Sequence, residues 1–236
     1  MNDFDKLAPD YEKASSKPDK KYSMLPTILA LLGLSKDQLV VDVGCGTGFF
    51  TIPIAQKVKR VIGIDTSIEE LKAAVPAENI EYRPADMLSF DYPKCDRISC
   101  PFVLNYLQSS ADLVQLFTRF ANSLKRRGRV VSIVDMPASP IHNSRQFGAI
   151  KRAQGGILKE GAVLDIELYN NDNLIVKLQS FYHTRETLED SLVIAGFKRI
   201  SWGNPIISEE GINLKGAGYW EEYKRSCDIA YLVAEK

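Results

Sequence analysis

Short aliphatic and β-branched runs alternate along this chain with amphipathic stretches, and that alternation sets the first expectation about its fold. Leu39-Val40-Val41-Asp42-Val43 is a nearly continuous apolar run ending in a glycine cluster, the pattern of a strand buried on both faces of a parallel sheet. A helix is predicted before it, over residues 23–34, with Gly33 near the carboxyl end. Another follows over 50–57. Further strands are predicted at 60–65, 80–83, 97–100 and 129–134, with helices over 68–75 and 111–124 and a turn at Arg127-Gly128. Strand and helix alternating at this pace imply right-handed crossovers and an open parallel sheet with helices on both faces.

The last third reads differently. Runs at 163–169 and 174–182 flank Asn170-Asn171-Asp172-Asn173, a strong turn signal, so a β-hairpin is predicted there. A helix over 185–195, closed by Gly196, leads to a strand at 197–202, and a final strand is expected at 228–234. The predicted fold is therefore α/β: a doubly wound, mostly parallel, Rossmann-like sheet of seven strands with an antiparallel edge. The whole of 1–236 is expected to be a single domain. Residues 1–22 are expected to lie over it as a lid segment, and 137–182 as a hairpin-bearing insertion over one face.

Composition narrows the partners. Thirty basic residues balance 30 acidic ones, so there is no net field to recruit nucleic acid or an anionic membrane. One local basic cluster, Lys125-Arg126-Arg127 with Arg129, is assigned to the end of a helix, where cations complement the dipole. Cys45, Cys95, Cys100 and Cys227 lack metal-site spacing, and with only His142 and His183 no metal centre is expected. No secretory pattern opens the chain, and the apolar stretch at 25–34 is about half of the ~20 residues a membrane helix needs. A reduced, cytoplasmic setting without membrane contact is expected. Oligomeric state is not readable.

The chemistry concentrates in Val41-Asp42-Val43-Gly44-Cys45-Gly46-Thr47-Gly48-Phe49. Strand, tight glycine turn and helix start come in the order that gives such a loop meaning, and glycines let a ligand approach the backbone. A dinucleotide fingerprint wants G-x-G-x-x-G with a helix end aimed at a pyrophosphate. Here the third glycine comes one position early, and Phe49 stands where it was needed. Asp42, just before the loop, would repel a pyrophosphate and suit a cationic group. Asp65 closes the second strand, placed to accept ribose hydroxyls, with Thr66 and Ser67 beside it. Asp86 and Met87 follow the third strand and offer an acid and a thioether to an adenine.

These segments resemble the class I S-adenosylmethionine-dependent methyltransferases. VVDVGCGTGFF is similar to their first motif, VIGIDTS to the acidic second-strand motif and ADMLSF to the adenine-contacting segment. CPFVLNYL is similar to the fourth-strand motif, and LKRRGRVV to the turn into strand five. Details around Asn105-Tyr106, Tyr182-His183 and Gly218–Glu222 most resemble the toxoflavin-synthase-like small-molecule branch. The resemblance implies S-adenosylmethionine as cofactor. It also implies Cys100-Pro101-Phe102 as the floor between cofactor and acceptor, and Tyr22 from the leading segment against the sulfonium.

The reaction so implied is in-line methyl transfer to a nitrogen or oxygen of a small molecule, in which alignment and a dry pocket matter more than a committed catalytic group. His183 is the candidate base, if one is needed. Tyr11, Asn105, Tyr106, Tyr182 and Trp220 are candidates for acceptor contact. The sequence after strand four lacks the Asn/Asp-Pro-Pro-aromatic arrangement of base and glutamine N-methylating families, which favours a small metabolite. Rival readings are a nicotinamide oxidoreductase, an RNA or protein methyltransferase, and a catalytically silent S-adenosylmethionine-binding regulator.

Overall fold

A computed structural model describes residues 4–6, 17–137, 143–147, 149–170 and 173–236. A π-helical turn, Lys20–Met24, runs into α1 (Leu25–Leu32), which ends at Gly33 in the left-handed conformation. The alternating part then follows: β1 (Leu39–Val43), α2 (Thr51–Ala55), β2 (Arg60–Asp65), α3 (Ile68–Ala73), β3 (Ile80–Pro84), β4 (Cys95–Pro101), α4 (Ser110–Ser123) and β5 (Leu124–Asp135). After it come β6 (Ala149–Ala153), β7 (Val163–Asn170), β8 (Asn173–Phe181), α5 (Arg185–Ile194), β9 (Arg199–Gly203), α6 (Glu209–Lys215), α7 (Ala217–Ser226) and β10 (Ile229–Glu235). Seven strands form one sheet in the order β3-β2-β1-β4-β5-β10-β9. Neighbours from β3 to β5 are parallel, and β10 runs antiparallel between β5 and β9.

The sheet sorts its side chains by alternation. Val41, Val43, Ile62, Ile64, Val130 and Val134 pack on one face, against α4 and α5. Val40, Val61, Val131 and Ile133 pack on the other, with α1, α2 and α7. Helix α4 buries Leu113, Leu116, Phe117 and Phe120, a stripe at helical spacing. It starts on a capping box: the Ser109 hydroxyl accepts from Asp112 N–H, and the Asp112 carboxylate accepts from Ser109 N–H. Such a cap contributes about 1 kcal/mol and fixes where the helix begins.

Three features differ from the sequence expectation. Strand β5 begins at Leu124, not 129, and the predicted Arg127-Gly128 turn is looped out within it. Cys95 pairs with Leu124 and Arg97 with Arg129, so the extra residues leave the ladder between these pairs. Gly128 is required there, since a Cβ would lie 2.7 Å from the Lys125 carbonyl. The predicted hairpin is part of a three-stranded sheet, β6-β7-β8. Strand β6 escapes prediction because Ala149-Ile150-Lys151-Arg152-Ala153 buries its central lysine. Asn171 and Asp172 of the predicted turn lie outside the described residues. Helices α6 and α7 were not read from the sequence either.

Lys151 explains how the small sheet is tied down. Its Nζ donates to Asp135 Oδ1 at 2.5 Å, at the end of β5, and to the Asp228 carbonyl at 3.2 Å. Asp228 Oδ2 lies 2.8 Å away, just before β10. All three side chains are buried. Burial opposes the ammonium charge, but the two carboxylates outweigh it and hold Lys151 above the usual lysine value. Replacing Lys151 by Met would leave two uncompensated carboxylates, and we expect a loss of about 3–5 kcal/mol in urea-denaturation experiments. A loss below about 1 kcal/mol would show that the triad contributes little to holding the small sheet.

Candidate cofactor and acceptor site

Strands β1, β2 and β3 are laid down in one direction across the sheet, and β4 returns to the opposite side of β1. The carboxyl ends at this reversal point define the crevice where open α/β sheets take ligands. A cleft of about 500 Å³ lies there. Gly44 and Gly46 line it from the loop after β1, Asp65 and Thr66 after β2, Ala85, Asp86 and Met87 after β3, and Pro101, Phe102 and Val103 after β4. Each strand end contributes one segment of the wall.

The glycine loop is shaped by close approach. Gly44, Gly46 and Gly48 all have positive φ, and a Cβ on Gly44 would fall 2.4 Å from Val103 Cγ2. The loop is hung on the end of β2, with Gly44 N and Cys45 N both donating to the Ile64 carbonyl. Asp65 joins it to the next turn: Oδ2 accepts from Gly46 N–H and Oδ1 from Ser67 N–H, both at 2.9 Å. Each carboxylate oxygen keeps a further lone-pair direction for a ligand hydroxyl. Burial raises the Asp65 carboxyl above the usual range, opposed by the backbone bonds from Ser67 and Gly46.

The cleft is acidic. Asp65, Glu70 and Asp86 line it, and no Lys, Arg or His does so among the described residues. Glu70 was not anticipated, because in the first turn of α3 it reads as an ordinary helix-start acid; the fold brings its Oε2 to 3.3 Å from where a Gly46 Cβ would be. The small sheet contributes Gln154, Val163, Gln179 and Phe181. The chain start closes another side: Phe4 lines the cleft and meets the Tyr106 ring edge-on at 5.0 Å. Asp5 Oδ1 accepts from Ser67 Oγ at 2.7 Å and Glu69 N at 3.3 Å, holding this segment to the α3 amino end.

Phe102 and Tyr106 line both the cleft and an inner chamber of about 90 Å³. Phe102 has φ +61°, a conformation costing on the order of 1–2 kcal/mol for a bulky residue and found at functional sites. Its N–H donates to the Ile133 carbonyl at 2.8 Å, which fixes it there. The chamber's polar end is made by Asn105, Asp135, Lys151, Asp228 and Ser180, and its apolar walls include Met24, Ile166 and Leu178. Of the chamber lining, Phe102, Asn105 and Tyr106 were anticipated from the sequence. The others come from elements far apart in the chain.

Several expected site residues are placed elsewhere. Asp42 is buried on the α2 face, accepting from Thr51 Oγ1 at 2.6 Å, and does not line the cleft. Cys45 packs its Sγ against Gly63, and Cys100 is fully buried in the core. Thr47, Gly48 and Phe49 lie in the loop but off the cleft wall, and Ser67 caps α3. Tyr22 is bonded to Lys21 and Glu210. Tyr182 is packed within the small sheet's core, and Trp220 donates to the Gly211 carbonyl inside an aromatic cluster. His183, expected as a base, has Nδ1 2.7 Å from Glu160 Oε1 and Nε2 3.0 Å from the Leu107 carbonyl, and lines neither cleft nor chamber. Both partners are acceptors, so the ring serves to join two segments. Tyr11 and His142 lie outside the described residues.

Comparison with known proteins agrees with this geometry. Residues 40–128 match the family model of a methyltransferase domain. The matched segment holds β1 to β4, with the glycine loop and Asp65, and is similar to a methyltransferase domain over that part of the chain. It is 37% identical over 75 residues to the ribosomal RNA small subunit methyltransferase A of Mesoplasma florum, covering 30% of this chain and 28% of that one. It is 32% identical over 111 residues to the 23S rRNA (uracil(1939)-C(5))-methyltransferase RlmD of Aeromonas salmonicida, covering 47% and 24%. The matches thus span about a quarter of the length of these curated relatives. An S-adenosylmethionine-dependent methyltransferase of Mesorhizobium loti superposes with a TM-score of 0.65 at 17% identity, over 94% of this chain and 100% of that one. At that identity the likeness concerns the fold.

S-adenosylmethionine, the cofactor that the sequence resemblance implies, would suit the cleft described above. A sulfonium and an ammonium are favoured by the three carboxylates, ribose hydroxyls can reach Asp65, and an adenine can lie beside Asp86 and Met87. A pyrophosphate would meet the same carboxylates and, among the described residues, no cation on the cleft wall.

Asp42 gives a test of the frame beneath the loop. Burial pushes its carboxyl up to about 6, opposed by the hydrogen bond from Thr51 Oγ1, and its Oδ1 has no partner. The folded protein therefore holds this proton more tightly than the unfolded chain, whose carboxyl titrates at the ordinary aspartate value of about 3.9. Stability should fall as pH rises from about 4 to 6 and stay lower above that, by about 1–3 kcal/mol. Asp42→Asn should remove that loss, raising the melting temperature at pH 8 and changing it little at pH 4. Equal effects at both pH values would contradict the assignment.

Proposed function

We propose that the protein transfers the methyl group of S-adenosylmethionine to a nitrogen or oxygen of a small-molecule acceptor, in a reduced cytoplasmic setting. The observation that carries the cofactor part is the acidic cleft at the reversal point of the sheet, lined by Asp65, Glu70 and Asp86 without an opposing cation among the described residues. When bound, the cofactor supplies an electrophilic methyl on a positive sulfur. Asp65 holds the ribose, Asp86 and Met87 the adenine, and the loop at Gly44–Gly46 lets the ligand lie against backbone. Phe102 and Tyr106, between cleft and chamber, align the acceptor. The small sheet and residues 4–6 act as covers that exclude water, which favours a reaction whose charge is dispersed in the transition state.

The small-molecule assignment rests on size and charge. The acceptor chamber is lined in part by the small sheet and has room for a few heavy atoms. An RNA acceptor, suggested by the ribosomal RNA methyltransferase relatives, would call for cations near the cleft. The basic cluster lies at the amino ends of β4 and β5, the opposite edge of the sheet. There Lys125 is paired with Asp96 at 2.9 Å, and Arg129 with Glu235.

Calorimetric titration with S-adenosylhomocysteine, run beside NADH, tests this reading. We expect binding of the former alone, weakened at least about tenfold by Asp65→Ala, the loss of one charged hydrogen-bond partner. Preference for NADH would overturn the cofactor assignment. Methylation of bulk RNA in preference to every small acceptor tried would overturn the acceptor class.

A further inference from the structure

The inner chamber specifies its ligand further through its hydrogen-bond inventory. Lys151 has three N–H donors, and the three acceptors around it are Asp135 Oδ1, Asp228 Oδ2 and the Asp228 carbonyl. The ammonium has no proton left for a ligand. The Ser180 hydroxyl is given to Asp135 Oδ2 at 3.2 Å. The Asn105 amide nitrogen faces the same oxygen, and the carboxylate dictates that orientation, because an amide oxygen turned toward it would be repelled. Asn105 therefore turns its carbonyl oxygen away from Asp135. Asp228 Oδ2 also accepts from Ala149 N–H at 3.2 Å, so what remains for a ligand at this end are lone pairs on Asn105 and Asp135.

The size of the space sets the second limit. A cavity of ~150 Å³ lined by apolar side chains holds a benzene ring; this chamber of about 90 Å³ is smaller and admits no more than a five-membered ring, with any larger part lying past Phe102 and Tyr106 in the cleft. Met24, Ile166 and Leu178 offer flat, apolar contact to such a ring. The other charged lining groups are Lys17, Asp19 and Lys20, from the segment before α1. Lys20 sits 4.8 Å over the Phe49 ring, and burial lowers it to about 8.

We propose that Asn105 and Asp135 form the recognition end of the acceptor site and select a single-ring compound presenting an N–H or O–H donor, rejecting rings of equal size that offer only lone pairs. The identification of this ligand as the methyl acceptor rests on the methyl-transfer reading above; the donor preference itself does not. Asp135 and Asn105 act here on binding, through direct contact with the ring substituent.

Matched probes decide it. Pyrrole and furan are five-membered rings of like size, the first a donor and the second not. Binding to the full chain saturated with S-adenosylhomocysteine would be followed by saturation-transfer NMR and by displacement titration. We expect pyrrole to bind at least about tenfold tighter than furan, since a lone-pair-only ring leaves buried acceptors facing one another. Asp135→Asn, which places an amide N–H₂ at this end, should narrow or reverse the preference. Leu178→Trp, which fills the chamber, should abolish binding of both rings and leave the S-adenosylhomocysteine titration unchanged. Equal binding of pyrrole and furan, no binding of either, or pyrrole binding that survives Leu178→Trp would overturn the proposal. The wild-type comparison is decisive even if Asp135→Asn fails to fold. Donor preference without S-adenosylhomocysteine binding would leave this site standing and sink the methyl-transfer reading; cofactor binding without donor preference would do the reverse.

Discussion

The carboxylate of Asp65 is the point on which the site depends. Its two oxygens take the N–H groups of Gly46 and Ser67, so one side chain sets both the loop after β1 and the start of α3. Neither loop has a regular ladder at that point, and their backbone donors would otherwise face a partly buried crevice unpaired. The same arrangement leaves the remaining lone pairs of Asp65 directed toward the cleft. Structure and binding therefore share one group, which is why its position at the end of β2 matters more than the details of the turn that follows. Ser67 adds a third link, since its hydroxyl donates to Asp5 while also capping α3.

Charge separates the two spaces around this point. The cleft gathers three acids against backbone and apolar surface, an environment that favours a cationic nucleoside over a dinucleotide. The chamber balances its charges internally instead, with Lys151 held between Asp135 and Asp228. A buried ion group of this kind is a weak source of net stability, because desolvation offsets much of the attraction. Here it has a geometrical consequence: every ammonium proton is engaged, and the small sheet is brought to the carboxyl end of β5. The strained backbone of Phe102 lies between the two spaces, as expected where a scaffold holds a functional wall in place.

The principal sheet was legible in the residues. The run Leu39–Val43 is a strand with those limits, as is Arg60–Asp65, because strands buried on both faces must be continuously apolar and end where glycine or an acid interrupts them. The cleft was legible to the same degree wherever a strand end supplies its wall: Gly44, Gly46, Asp65, Thr66, Asp86, Met87, Pro101 and Phe102 all line it. The unread parts have a common cause. Strand β6 hides its register behind a buried lysine, α6 and α7 are short and polar on much of their surface, and Glu70 looks like any acid in a first helical turn.

Local pattern thus determined the order of elements, the reversal point and the glycine loop with its acid, since each depends on neighbours a few residues away. Only the tertiary structure decided which face Asp42 takes, that His183 joins Glu160 to the Leu107 carbonyl instead of facing a ligand, and that Asn105, Asp135, Lys151, Ser180 and Asp228 meet in one chamber. Those residues span more than a hundred positions. Their meeting depends on how the small sheet docks onto the strand ends, and no short-range periodicity records a contact made across that distance.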